Sequence, residues 1–172
     1  MSTKADIAPG NWAALVSAAP AIARAVSASA GSTGQSETEL DAFVQFVSDA
    51  TISHDGGDVL GQLVGDVGNL LAIGVEPVSG DPYMEGLEQA RRAGAIVSVE
   101  LEPGEAVAIR AWYLAAAQRV AEAAREGGVL GIGSKDVTTW ERETIQAIAD
   151  ALGANAPADP PFEPPAAESE AG

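Results

Sequence analysis

Apolar residues recur at helical spacing along most of the chain. Trp12, Leu15, Val16, Ala19, Ile22, Ala23 and Val26 fall three or four apart, which stacks side chains on one face of an α-helix. Asn11 is placed to cap this helix and Pro20 to bend it. Ser36-Glu-Thr-Glu39 reads as a capping box, the serine meeting the backbone of the first turn while Glu39 reaches back. It opens a helix whose inner face is Leu40, Phe43, Val44 and Val47. Val59, Leu60, Leu63, Val64, Val67, Leu70 and Leu71 form the most periodic stripe in the chain. Asp81-Pro82 predicts a cap and a first helical residue, and Gly94, after Arg91-Arg92, predicts the stop. Glu102-Pro103 launches a long helix to about Arg125. Thr138-Thr-Trp-Glu141 is a second capping box, leading through Ile145, Ile148, Ala149 and Leu152 to Gly153.

The segment Ala95-Ile-Val-Ser-Val-Glu-Leu101 departs from this pattern. It is β-branched, partly alternating, and bounded by Gly94 and Pro103-Gly104. It reads equally as one short β segment at 95–101 or as an extended connector packed on the helices. Its one visible mate, Val75–Val78, contains Pro77, which cannot donate to a ladder.

Two helix–loop–helix segments match each other. The first runs Ala23-Arg-Ala-Val26, then a Gly/Ser loop, then Ser36-x-x-Glu39-x-x-x-Phe43-x-x-Phe46. The second runs Ala117-Gln-Arg-Val120, then a longer Gly loop, then Thr138-x-x-Glu141-x-x-x-Ile145-x-x-Ile148. Chance likeness between Ala-rich amphipathic helices is the alternative, because both boxes are common helix starts. Each unit has one apolar face and cannot bury it alone. The expected fold is therefore mostly α: a single-domain helical bundle of about six helices built from two helix–loop–helix repeats, about 13–47 and 114–152. These should close around the Val59–Leu71 helix. Residues 1–10 read as a flexible N-terminus, 11–153 as the helical domain, and 154–172 as a disordered Pro/Ala/Glu tail.

The doubled motif resembles the tellurite-resistance TerB-like family. That resemblance implies an all-α bundle of duplicated units, an association with stress and phage-response systems, and metal binding near the loops. The family's loops typically read Ala-Asp-Gly. The corresponding loops here read Ala30-Gly-Ser-Thr-Gly34 and Arg125-Glu-Gly-Gly128, so the family's acidic ligand does not carry over.

Charge and composition narrow the function. The 172 residues hold 25 Asp+Glu against 9 Lys+Arg, a formal charge of −16, with a pI near 4.1. Such acidity opposes direct nucleic-acid binding and a polybasic membrane anchor. No cysteine and one histidine are present, which removes disulfides, thiolate nucleophiles and His-rich metal centres. A secretory signal is disfavoured, since Asp6, Pro9 and Gly10 spoil its start and Pro20 and Arg24 its centre. No run reaches about 18 consecutive apolar residues. These features predict a cytoplasmic protein.

Candidate chemistry is sparse. His54, Asp55 and Asp58 bring an imidazole and two carboxylates within five residues, a weak divalent-metal candidate. Against it stands the reading that an aspartate caps the next helix while His54 lies in the turn. Gly57, Gly61, Gly65 and Gly68 line one side of the Val59–Leu71 helix and suggest close approach of a neighbouring helix. Gly127-Gly-Val-Leu-Gly-Ile-Gly-Ser-Lys135 has the wrong spacing for a phosphate loop. Trp140 and, in the tail, Phe162 are interface candidates. No catalytic constellation and no cofactor motif is visible. The expected function is that of a non-enzymatic helical protein-binding or assembly protein, TerB-like and stress-associated. The alternatives are an acidic nucleic-acid-mimicking inhibitor of a basic partner, or a metal-binding enzyme with a site near His54–Asp58.

Overall fold

The computed structural model describes residues 2–29, 36–54, 56–75, 80–126 and 139–154. Among them are a 3-10 turn, Lys4–Asp6, and six helices: α1 (Pro9–Ser29), α2 (Ser36–Ser53), α3 (Val59–Ile73), α4 (Pro82–Glu100), α5 (Pro103–Glu126) and α6 (Thr139–Leu152). No strand occurs among the described residues.

Helix α1 is the middle of the bundle. It starts at Pro9, a residue whose fixed φ suits the first helical position, and Pro20 lies buried inside it. Its alanines let other backbones come close, and α4 packs along it most extensively, with α5, α6, α2 and α3 on the remaining sides. The expectation of a central Val59–Leu71 helix is therefore corrected. That stripe buries Val59, Leu63, Val64 and Val67, but α3 sits at the edge, packed chiefly on α2.

Ala23 and Ala117, Val26 and Val120, and Glu39 and Glu141 are buried at matching positions. Phe43 is buried in the same core against which Ile145 packs half-buried. Helices α1 and α5 run side by side in one direction. Glu105, at the start of α5, accepts hydrogen bonds from the Ser2 backbone and hydroxyl at 2.6 Å each. Further along, the Tyr113 hydroxyl donates to the Leu15 carbonyl at 2.7 Å.

The short β segment at 95–101 is not formed: α4 continues helically through Glu100 and ends at an extended Leu101 (φ −121°, ψ 155°). Ile96 and Val97 are buried there. Burial of such side chains is worth about 1.5–3 kcal/mol each, against a few tenths of a kcal/mol of β-branched helix propensity. Pro103 then drives its predecessor out of the helical region. Gly94 is likewise no stop. A Cβ there would lie 2.6 Å from the Leu152 carbonyl oxygen, so the glycine admits the end of α6. Arg110 secures the same junction, its Nε donating to Leu152 O at 2.9 Å. Gly153 ends α6 with φ +66°, as expected.

Residues 2–8 dock on the bundle. The Lys4 backbone donates to Gln62 at 2.7 Å, Lys4 Nζ meets Asp66 at 2.6 Å, and Ile7 is buried. Trp12 Nε1 donates to the same Asp66 at 2.8 Å. The Lys4 hydrogen bond, with help from Trp12, holds the Asp66 carboxyl below its ordinary range. Asn11 is interior to α1 and, instead of capping, donates to Glu100 of α4.

The glycines of α3 do not line a helix crossing. A Cβ on Gly68 would make ordinary contact with Thr51 and Val47, one on Gly61 would come within 2.9 Å of the backbone of Gly56 in the preceding turn, and one on Gly65 would meet open space. Gly65→Ala should therefore stabilise the protein by about 0.5–1 kcal/mol, read as a higher urea midpoint at unchanged slope.

Candidate functional site

The His54–Asp58 candidates are occupied with helix ends. Asp58 (φ −110°, ψ 172°) caps α3, its Oδ1 accepting from the Gly61 N–H at 2.7 Å. His54 Nδ1 lies 2.9 Å from the Ala50 carbonyl of its own helix, so with the proton on that nitrogen it closes the last turn of α2. Asp55 lies outside the described residues, as do Phe162 and the loops 30–34 and 127–135. Among the described residues no group of three His, Cys, Asp or Glu is gathered. Trp140, second residue of α6, is 71% exposed.

A larger surface feature lies between α2 and α3. Val47 and Leu71 border a groove of about 340 Å³ whose floor is left open by Gly68. Its α2 wall is Val44 and Ile52, and Thr51 turns its hydroxyl back to the Val47 carbonyl at 2.8 Å. Val44, assigned by periodicity to the inner face, is 47% exposed. Ile52 is 83% exposed and Ile73, at the end of α3, 85% exposed. Val44 and Ile52 are thus two exposed apolar side chains on the wall of one concavity, and Ile73 is not among the residues that line it. The signal that points here is electrostatic: between Arg24 and Arg91 there is no Lys or Arg, and eleven Asp or Glu. Asp41 and Asp49 are exposed along α2. The groove therefore offers apolar contact beside the exposed carboxylates of α2, with the Ser48 and Thr51 hydroxyls on its α2 side.

The second constellation is internal. Glu39 and Glu141 are 1% and 2% exposed. Burial raises the Glu39 pKa, the Ser27 hydroxyl at the end of α1 opposes that rise, and the Glu141 charge adds to it. Although Ser27 is close, neither Glu39 oxygen completes a hydrogen bond of regular geometry. The capping-box spacing assigns these glutamates to helix starts at the surface; the packing of the two units buries both.

No protein-family model, curated protein or solved structure matches the chain.

Proposed function

We propose that the protein is a non-enzymatic helical binding module whose α2–α3 groove takes an amphipathic helix carrying basic flanks. The observation that carries this is the pair of exposed groove residues Val44 and Ile52 set in a stretch of chain with no basic residue. An amphipathic helix laid in such a groove buries residues at i, i+3, i+4 and i+7. Lys or Arg on its edges would meet Asp41 and Asp49, which sets orientation and speeds encounter. The build of two packed units is also what a TerB-like relative would have, and we extend that kinship as part of the proposal. Helix α1 is long and apolar enough, by length and composition, to cross a membrane. Its burial at the centre of the bundle is that of a core helix, and a cytoplasmic location is part of the proposal.

The test is fluorescence anisotropy of a labelled amphipathic peptide of about five turns, with Leu anchors and Lys flanks, titrated with the full chain. Binding is expected, with Ile52→Asp and Val44→Asp each weakening it at least about tenfold. A peptide with Glu flanks should fail to bind. Binding that ignores both groove substitutions yet collapses steeply with salt would instead favour mimicry of nucleic acid by the acidic surface. Binding to neither peptide sinks the groove reading.

A further inference from the structure

Val107, Ala111, Leu114 and Ala115 recur along α5 at helical spacing and line a second groove, of about 400 Å³. Val107 is 62% exposed and Leu114 is buried, so this apolar stripe has an open rim and a closed floor. Gly153 and Ala154, at the end of α6, complete the lining, and Arg110 is the charged residue on it.

The way α6 stops delivers the chain into this groove. Gly153 takes φ +66°. Its N–H donates to the Asp150 carbonyl at 3.1 Å, and the Ala154 N–H donates to the Ala149 carbonyl at 2.9 Å. These two bonds form a Schellman motif, which turns a chain off its helix axis. Arg110 Nε holds the last helical carbonyl, Leu152 O, at 2.9 Å. Residues 155–172 therefore continue from a point on the groove wall.

Charge and chemistry match that segment to the groove. It carries Asp159, Glu163, Glu168 and Glu170 and no Lys or Arg. Most of the surface of a chain of net charge −16 repels such a segment. Residues 106–121 of α5, by contrast, hold Arg110 and Arg119 and no acid. Among the described residues Arg110 donates only to neutral acceptors: Leu152 O, Gly94 O and the Ser98 hydroxyl. Its charge is thus open to a carboxylate. The large apolar side chain of the segment is Phe162, set between Pro160-Pro161 and Pro164-Pro165. Prolines pre-order an extended chain, which lowers the entropy lost on entering an apolar groove. Phe162 lies eight residues beyond Ala154, about 25 Å of extended polyproline chain. The groove from Val107 to Gln118 is about 16 Å of helix, so all of it is within reach. A short tether also gives an effective concentration of about millimolar, enough to hold a contact too weak for a free peptide.

We propose that residues 155–165 dock in the α5 groove, with Phe162 on the apolar stripe and its neighbours Asp159 and Glu163 facing Arg110. The chain thereby covers this face with its own acidic segment. The site is separate from the α2–α3 groove, and neither depends on the other.

The test is paramagnetic broadening of amide NMR signals in the full chain. The sequence has no cysteine, so Ala166→Cys provides a single attachment point for a nitroxide. The signals of Val107, Ala111, Leu114 and Ala115 are expected to broaden well beyond those of Val44 and Ile52 in the other groove. Adding Phe162→Ala or Val107→Asp to the labelled chain should abolish that difference. If Val107→Asp fails to fold, Phe162→Ala decides alone. Broadening that is equal at the two grooves, or unchanged by Phe162→Ala, overturns the proposal. So does the same broadening in a ¹⁵N-labelled chain without nitroxide when the spin-labelled chain is mixed in, because the segment then docks on a second copy.

Discussion

Gly94→Ala is expected to destabilise the protein by at least about 1–3 kcal/mol, the usual cost of forcing atoms into a packed interior. The new methyl would meet the backbone of Leu152: its O, C and Cα would lie 2.6, 2.7 and 2.8 Å away. Backbone cannot swing aside as the tip of a long side chain can, so α6 must shift relative to α4. That shift also strains the Arg110 hydrogen bond to Leu152 and its contact with Ser98. Gly86→Ala should behave alike, since its Cβ would collide with Ala25 and approach the Ala21 carbonyl oxygen of α1 at 2.8 Å. Urea midpoints of these variants beside Gly65→Ala check the idea. The first two should fall and the third should rise, although all three are the same chemical change in a helix. Equal responses would mean that intrinsic helix propensity, not the crossings, governs glycine here.

Phe43→Ala is the second large effect expected, a loss of about 3–5 kcal/mol. Phe43 is fully enclosed in the core, and its removal leaves a cavity that the surrounding helices cannot close. Ile145, its counterpart in the other unit, is half-buried and packs at the margin. Truncating it to alanine should cost clearly less, about 1–2 kcal/mol for a site open to solvent on one side. Chemical denaturation of the two variants compares the units directly. A similar loss from both would show that the edge position is as enclosed as the interior one in solution.

The helices were readable because periodicity, capping aspartates and prolines agree, as at Asp58 before α3 and Asp81-Pro82 before α4. The matching positions were readable because Ala23, Val26 and Glu39 recur as Ala117, Val120 and Glu141, and each pair is buried. Gly94 was misread for a physical reason. A glycine after two arginines has the chemistry of a helix end, and only the arrival of Leu152, distant in sequence, reveals a crossing. Segment 95–101 misled similarly, because β-branched residues buried by neighbours on a helix look locally like a strand. Periodicity places Val44 with Phe43 and Val47 on one apolar face but cannot say how much of that face is covered. The absence of Lys and Arg between Arg24 and Arg91 was present in the composition all along; it gains meaning once α2 and α3 are seen to share a groove. The burial of Glu39 and Glu141 depends on how the two units pack, and no local pattern encodes it.

The position of α1 has a consequence for biosynthesis. It emerges from the ribosome early, yet the helix that covers it most, α4, is complete only about 70 residues later. At typical elongation rates of about 5–20 residues per second, an apolar 21-residue helix therefore waits for that cover for roughly 4–14 s. During that interval the nascent chain displays the kind of segment that targeting factors and holding chaperones recognise. The fate of each molecule is then a race between translation of α4 and capture of α1.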